Sequence, residues 1–275
     1  MSKNLSTRLK ASFDRLNLAL TMRRHFENFW LIILMRLKIV RLPYFLYRIH
    51  KDERTYSMLG RPTAASSGDI FVLREVLAEE IYQDALACVD KKDLRIIDIG
   101  ANIGTFTIWA NSVFRVREAF CFEPEQESFC LLNFNLSSNG CPTAKAYLSA
   151  VGGTARLVKL SVNNNVPAAA NIYDQAPDGG QTVAVISLGE WLSTMEGNFD
   201  ILKMDCEGAE WEIIRHTDPQ QFTRFQTIVV EVHPDPENKQ AIADFKEAME
   251  KFGFETVRWD NKSFGLYVGR QKPDG

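Results

Sequence analysis

Glycines and an acid stand together where the first strongly predicted strand ends. The motif Asp98-Ile-Gly-Ala-Asn-Ile-Gly104 places two glycines four positions apart, directly after a β-branched run. Such glycines let the backbone turn tightly and approach a ligand closely, and the helix that follows offers unpaired N–H groups to an anionic part of that ligand. The loop differs from the dinucleotide pattern G-x-G-x-x-G because Asn102 occupies its middle. Asp98 at the mouth favours a ligand with a positively charged group.

A carboxylate follows the second predicted strand. Glu123, which precedes Pro124, stands nineteen residues past Gly104. An acid in this position can accept hydrogen bonds from both hydroxyls of a ribose. The alternative is an exposed glutamate that stabilises the N-terminus of the next helix. Together with the glycine loop, Glu123 predicts a cofactor that contains a nucleoside.

Further acids and an imidazole follow two later strands. Asp205 and Glu207 come after one strand, and Glu231 and His233 end the next. Carboxylates gathered in one place are costly unless a cation binds or a proton is shared, so this group predicts a functional site. Structural alternatives stay open: Glu210 is interpreted as a charge on a helix face, and His233 as a loop residue.

Predicted strands and helices alternate along the chain between these motifs. Strands are predicted at 94–99, 119–122, 144–151, 199–204, 227–232, 256–258 and 265–269, with a strand–loop–strand segment at 154–186. Helices are predicted at 70–88, 105–113, 125–139, 188–195, 209–216 and 238–252. This alternation predicts a doubly wound, mainly parallel α/β sheet, in which ligands bind outside the carboxyl ends of the strands.

Charge is distributed unevenly over the 275 residues, whose net charge is −3. Residues 1–60 hold twelve Lys/Arg against four Asp/Glu, a net of +8, so the other residues carry a net of −11. The acidic body argues against nucleic acid as a partner. Five scattered cysteines without a C-x-x-C spacing indicate a reducing compartment and argue against a zinc site.

The basic N-terminal segment allows two interpretations. Its longest apolar run, 29–35, has seven residues, whereas a spanning helix needs about 20. The favoured interpretation is a helix that docks on the core and ends near Pro43. The alternative is an interfacial segment in which Phe29 and Trp30 enter the headgroup zone of a membrane beside basic residues. The protein is therefore expected in the cytoplasm, with peripheral contact at the inner membrane face through residues 23–48 as the alternative.

These motifs together resemble the FkbM-type methyltransferase family over about residues 69–268. The resemblance rests on the Asp98–Gly104 loop, Phe122-Glu-Pro124, Ile186-Ser-Leu-Gly-Glu-Trp-Leu192, Ile201-Leu-Lys-Met-Asp-Cys-Glu-Gly-Ala-Glu210 and Val230-Glu-Val-His233. It implies a class I methyltransferase (Rossmann-like) fold, in which a seven-stranded sheet with one antiparallel strand binds S-adenosylmethionine. Three segments are predicted: an N-terminal helical appendage at 1–60, a helical lid at 61–92 and the methyltransferase domain at 93–275. One departure is Ser187-Leu-Gly-Glu190, where the family usually carries Leu-Asp.

The resemblance also implies roles for individual residues. The cofactor-binding residues would be Asp98, Gly100, Ala101, Asn102, Gly104, Glu123, Pro124, Ser149 and Asp205. In this arrangement the glycine loop wraps the methionine end, Asp98 holds its ammonium, Glu123 holds the ribose and Ser149 borders the adenine. Segments 57–90 and 160–182 would form the acceptor wall, with Tyr82 and Glu231 as substrate-contacting residues.

The implied reaction is an in-line transfer of the methyl group to a hydroxyl oxygen, on a sugar, a glycan or a glycosylated small molecule. An alcohol needs a base, for which His233 is predicted, with Asp205 as second candidate and Glu207 beside them. A Mg²⁺ ion at Asp205 and Glu231 is a less favoured alternative. Two other functions stay open: a dinucleotide-dependent oxidoreductase or epimerase, and a non-catalytic scaffold for a membrane-associated glycan-assembly complex. The sequence predicts neither the particular acceptor nor the oligomeric state.

Overall fold

A computed structural model describes residues 22–37, 39–62, 68–89, 93–162, 170–173, 180–234, 242–261 and 265–272. The chain divides into two compact units, Met1–Glu80 and Ile81–Gly275. In the part of the chain so described, no helix has the length and the apolar character needed to cross a bilayer.

The first unit combines short helices with a β-hairpin. Helix α1 covers Phe29–Arg36, and strands β1 (Phe45–Lys51) and β2 (Arg54–Gly60) pair in antiparallel register. Helix α2 (Asp69–Leu73) continues into a π-helix at Arg74–Ala78. The segment predicted as helical therefore also contains a hairpin, whose residues alternate between buried and exposed as one-sided burial of a strand requires.

The helix predicted over 70–88 is divided in the structure. Its first part is α2 with the π-helix, and its last part is α3 (Gln83–Ala87), which belongs to the second unit. Glu80 stands between them with a φ of 53°. Its carboxylate accepts a hydrogen bond from Arg54 at 2.6 Å. This tie to the hairpin and the left-handed backbone conformation end the first helical segment.

The second unit is built on a seven-stranded sheet. Its strands are β3 (Asp93–Ile99), β4 (Arg115–Phe122), β5 (Ala144–Tyr147), β10 (Phe199–Met204), β11 (Phe225–Val232), β12 (Phe254–Asn261) and β13 (Gly265–Gln271). Their order is β12-β13-β11-β10-β3-β4-β5. Strand β13 pairs antiparallel with both of its neighbours, while β5, β4, β3, β10 and β11 are parallel. The predicted class I sheet with one antiparallel strand is confirmed.

Helices connect the strands of this sheet. They are α4 (Thr105–Val113), α5 (Gln126–Ser138), α6 (Leu188–Ser193), α7 (Glu210–His216), α8 (Pro219–Phe222) and α9 (Ile242–Lys251). Each central strand is almost entirely buried because helices cover a parallel sheet on both faces. The core therefore fixes the strand ends, where the predicted site residues stand.

A smaller sheet adjoins the end of β5. It contains β6 (Ala150–Gly152), β7 (Arg156–Val162), β8 (Ala170–Tyr173) and β9 (Gln181–Ser187), in the order β6-β9-β7-β8. The single strand predicted at 144–151 is thus two strands in different sheets, and the chain changes sheet at Leu148 and Ser149. The side chain of Gln181 donates to the backbone oxygen of Pro124 at 3.1 Å, which ties the smaller sheet to the end of β4.

Candidate active site

The parallel pairing of five strands ends at one level of the main sheet. The last residues paired with a parallel neighbour are register partners: Ile99, Phe122, Tyr147, Met204 and Val230. The residues that follow them therefore form one row along the carboxyl edge: Gly100, Glu123, Leu148, Asp205 and Glu231. Four of the motifs singled out from the sequence thus meet at this row, because the register of a parallel sheet aligns strand ends that lie far apart in the chain.

The glycine loop is locked against its neighbours. Gly100 and Gly104 have φ values of 71° and 89°, in the region that favours glycine. The backbone N–H of Gly100 donates to the oxygen of Phe122 at 3.0 Å. A Cβ at Gly100 would overlap the backbone oxygen of Asp205. The close approach of two strand ends therefore requires a glycine at this position, independently of any ligand.

Glu123 is buried and bonded to the glycine loop. It is 6% exposed, so the alternative of an exposed glutamate at a helix N-terminus is wrong. Oε2 accepts from the backbone N–H of Asn102 at 2.8 Å, and Oε1 accepts from that of Glu125 at 2.9 Å. Glu125 itself caps the following helix. Burial raises the pKa of Glu123 to about 7, although both backbone hydrogen bonds oppose the shift. Each oxygen has one backbone donor and can accept a second.

A buried lysine, not singled out from the sequence, stands among the acids. The Nζ of Lys203 donates to the backbone oxygen of Gly100 at 2.8 Å and lies 3.4 Å from Asp98 and 3.6 Å from Asp205. Burial alone would lower the pKa of Lys203, but the carboxylates of Asp98, Asp205 and Glu231 raise it above its ordinary value. The ammonium is therefore a fixed positive charge. A lysine inside a strand that is buried along its whole length was the signal that could have identified it.

His233 is held by a buried carboxylate. Its Nδ1 lies 3.1 Å from Oε1 of Glu210, and its Nε2 lies 3.6 Å from Oε2 of Glu207. Glu210 is fully buried, so the interpretation of this residue as a charge on a helix face is wrong. Its two oxygens also accept from the backbone N–H groups of Cys206 and Gly208 at 2.8 and 2.9 Å. Glu210 therefore fixes one side of the imidazole and leaves Nε2 on the side of the other acids.

Charge around His233 controls its protonation. Burial alone would lower the pKa of His233, but the hydrogen bond and charge of Glu210, with the charges of Asp205 and Glu207, raise it to about 9. Burial raises the pKa of Glu207, and the charge of His233 opposes this. The imidazole is therefore mostly protonated at neutral pH, before any cation enters the site.

Three side chains at the edge could also hold a metal ion. Asp205, Glu231 and His233 offer ligand atoms that all lie within 4.8 Å of one another. Carboxylate oxygens suit Mg²⁺ and an imidazole nitrogen suits transition metals. His233 thereby joins the two residues that the sequence suggested for a metal.

Three buried polar atoms at the edge have neither a hydrogen-bond nor an ion-pair partner among the described residues. They are Asn102 Oδ1, Thr105 Oγ1 and Ser149 Oγ. Buried polar atoms in native proteins nearly always have a partner. These atoms follow strands β3 and β5 or stand at the start of α4, so they lie near the row of strand ends. The arrangement fits a polar ligand with several hydroxyl or amino groups.

The predicted acceptor wall is described only in part. Tyr82 is 4% exposed and packs edge-on against Phe106 of α4, with ring centroids 5.3 Å apart. Tyr82 thus packs against helix α4. Its role toward an acceptor stays a prediction. Of the predicted segment 160–182, residues 163–169 and 174–179 lie outside the described residues.

The part of the chain that contains these residues is similar to known proteins. Residues 98–256, more than half of the chain, match the family model described as the methyltransferase FkbM domain. The chain is 23% identical over 238 residues to Methyltransferase 1 of Beauveria bassiana (strain ARSEF 2860), covering 78% of this chain and 93% of the relative. It is 24% identical over 244 residues to Methyltransferase sdnD of Sordaria araneosa, covering 74% of this chain and 93% of the relative.

Solved structures also align with the chain, at low sequence identity. The crystal structure of M. jannaschii TYW2 in complex with AdoMet aligns over 84% of this chain and 86% of that one, with a TM-score of 0.42 and 12% identity. The precorrin-6y C5,15-methyltransferase of Geobacter metallireducens GS-15 aligns over 70% of this chain and 88% of that one, with a TM-score of 0.41 and 15% identity.

Proposed function

Because the chain belongs to the FkbM methyltransferase family and is an S-adenosylmethionine-dependent methyltransferase, we propose that its acceptor is a hydroxyl group. The acceptor would be a sugar, a glycan or a glycosylated small molecule. The observation that carries the proposal is that buried polar atoms without hydrogen-bond partners and a carboxylate-held imidazole lie at the same sheet edge. The polar atoms would bind the nucleoside of the cofactor, and the imidazole would accept the proton of the hydroxyl.

The residues present fit the cofactor. Glu123 keeps one acceptor position on each oxygen for the ribose hydroxyls, and Ser149 offers an unsatisfied hydroxyl on the adenine side. Asp98 and Asp205 offer carboxylates for the ammonium of the methionine part. S-adenosylmethionine, when bound, supplies an electrophilic methyl group. The protein supplies alignment and a site from which water is excluded.

His233 is proposed to take the proton of the acceptor hydroxyl at Nε2. The carboxylate of Glu210 accepts from Nδ1–H, which selects the tautomer with an unprotonated Nε2 and stabilises the imidazolium that forms. In the free protein the pKa of His233 is about 9, so the imidazole must lose a proton before it can act. A cationic ligand at the same edge favours that loss, because like charges lower the pKa of a base.

A divalent ion at Asp205, Glu231 and His233 is the second arrangement, favoured by the closeness of their ligand atoms. The ion would lower the pKa of the acceptor hydroxyl, and His233 would be a ligand instead of a base. Turnover with and without EDTA separates the two. Unchanged turnover in EDTA, with a large loss in His233→Ala, supports the imidazole; loss in EDTA that Mg²⁺ or Mn²⁺ restores supports the ion.

Transfer of a radioactive methyl group tests the proposed acceptor class. The full chain is incubated with methyl-labelled S-adenosylmethionine and a panel of glycosides, glycans and matched amines. Label on a glycoside that survives mild alkali is expected, since ethers resist alkali whereas methyl esters do not. Label on the amines alone would contradict the proposal. No heat of binding with S-adenosylmethionine, and no rise in unfolding temperature, would favour the non-catalytic scaffold.

A further inference from the structure

Exposed apolar side chains are concentrated in the first unit. Of the twelve large apolar side chains that are exposed in the described residues, seven lie between residues 30 and 46. We call these the apolar patch: Trp30, Leu31, Leu37, Ile39, Leu42, Tyr44 and Leu46. Trp30 and Ile39 are 65% and 67% exposed. Single exposed apolar residues need no explanation, but a concentration of them marks an interaction surface.

Helix α1 is apolar on its outward face as well as its inward face. Phe29, Ile32 and Ile33 are buried against the first unit, while Trp30 and Leu37 are exposed seven positions apart on one outward face. A helix that only docks on a core has a polar outward face. Docking therefore explains the inner residues of α1 and leaves the outer ones without a function.

Basic side chains are interspersed along the chain with those of the apolar patch. Residues 22–48 contain six Lys/Arg and one Asp/Glu, a net of +5. Among those described, Arg23, Arg24 and Arg41 are exposed. The one acid, Glu27, bonds to His50 and lies 3.8 Å from Arg48, so its charge is partly neutralised. Residues 22–48 thus combine exposed apolar side chains with a net positive charge.

The combination of exposed apolar and basic side chains indicates which kind of partner the apolar patch binds. In a symmetric pair of chains two segments of the same positive charge would face each other, which opposes association. A bilayer with anionic headgroups instead meets each basic side chain with a phosphate or carboxylate, and accepts apolar side chains at the boundary between headgroups and acyl chains. Trp and Tyr are the residues enriched at that boundary. We propose that the apolar patch docks this protein reversibly on anionic lipid bilayers.

Vesicle co-sedimentation of the full chain tests the proposal. Wild-type protein is expected to sediment with phosphatidylcholine vesicles that contain phosphatidylserine, more weakly with phosphatidylcholine alone, and less as salt is added. Trp30→Ser with Leu37→Ser should weaken binding at least about tenfold, from the apolar area lost. Arg23→Glu with Arg24→Glu should remove most of the salt dependence. Leu157→Ser is the matched control, since Leu157 is 74% exposed in the second unit and its change should leave sedimentation unaltered.

Folding and alternative occupants are checked on the same samples. Circular dichroism and the heat of S-adenosylmethionine binding should match wild type, so that lost sedimentation reports the surface alone. Equal sedimentation of Trp30→Ser/Leu37→Ser and wild type would overturn the proposal. So would absent binding to anionic vesicles, or a wild-type dimer in ultracentrifugation that this variant dissociates, which would assign the patch to contact between copies.

Discussion

The buried ammonium of Lys203 donates to the backbone oxygen of Gly100 at 2.8 Å. This bond joins the end of β10 to the loop after β3, and it places one positive charge between Asp98 and Asp205. The loop is thereby held from two sides, by Lys203 and by the carboxylate of Glu123 on Asn102. Its shape is set before a ligand binds.

Lys203→Met should destabilise the protein strongly. The substitution leaves the carboxylates of Asp98 and Asp205 without their buried counter-charge, and loss of one partner of a buried pair costs about 3–5 kcal/mol. Lys145→Met is the control, because the Lys145–Glu118 pair is largely exposed and such pairs contribute about 0–1 kcal/mol. Urea unfolding monitored by tryptophan fluorescence measures both. Equal losses in the two variants would contradict the role of Lys203.

Gly100→Ala should abolish cofactor binding or folding of the loop, whereas Gly140→Ala should be tolerated. Both glycines have positive φ values, 71° and 69°, so an alanine has a similar backbone cost, about 1–2 kcal/mol, at each. A Cβ at Gly100 meets the backbone of Asp205, but a Cβ at Gly140 has open space. Thermal unfolding with and without S-adenosylmethionine separates the steric effect from the backbone cost. Similar unfolding temperatures and similar cofactor effects in the two variants would refute the steric role of Gly100.

Glu123→Ala should weaken S-adenosylmethionine binding by about 10–100-fold, since hydrogen bonds to a charged group contribute about 1.5–3 kcal/mol each. Glu127→Ala, at an exposed position of the next helix, is the control. Titration calorimetry gives both affinities. Because the pKa of Glu123 is about 7, wild-type affinity should also fall as the pH drops through 7, when the carboxylate gains a proton and loses an acceptor. If Glu123→Ala binds S-adenosylmethionine as tightly as wild type, Glu123 does not bind the ribose.

The pH dependence of turnover should report His233. A base must be unprotonated, and its pKa in the free protein is about 9, so kcat/KM should rise with pH and level off near 9. Glu210→Gln removes the anion that stabilises the imidazolium, which lowers the pKa, so the rise should shift toward pH 6.5, the ordinary value.

Glu212→Gln is the control for Glu210→Gln. Glu212 lies on the same helix but pairs with Arg156 at 2.6 Å, so its substitution should leave the pH profile in place. A profile that is the same in wild type and Glu210→Gln would argue against His233 as the base.

Much of the fold could be predicted from periodicity and strand-end chemistry. The helix at 105–113 and the strand at 199–204 have the predicted bounds, because a glycine or a turn ends each of them locally. The break at Leu148 and Ser149 could not be predicted, since both halves of 144–151 are strands and only their pairing partners differ. Periodicity carries no information about which neighbour a strand pairs with.

Most acidic residues of the site could be predicted from the sequence, but the residues that pair with them could not. The roles of Lys203 and Glu210 were not predicted, because each role depends on a contact with a residue distant in sequence. Lys203 contacts Gly100, and Glu210 contacts His233. From the sequence alone, Glu210 is a charge at the start of a helix, where acids are common. Its burial depends on the turn at 206–208, where Glu207 and Gly208 have positive φ values of 55° and 107° and direct two backbone N–H groups toward it.

The acidic row at the carboxyl edge also bears on how the spent cofactor leaves. Donation of the methyl group turns a sulfonium into a neutral thioether, so the nucleoside loses one positive charge at the instant of reaction. In the proposed arrangement Asp98, Asp205 and Glu231 would attract the charged form more strongly than the uncharged one. The same carboxylates that favour loading would thus quicken product release, and turnover would proceed without a separate device to expel the by-product.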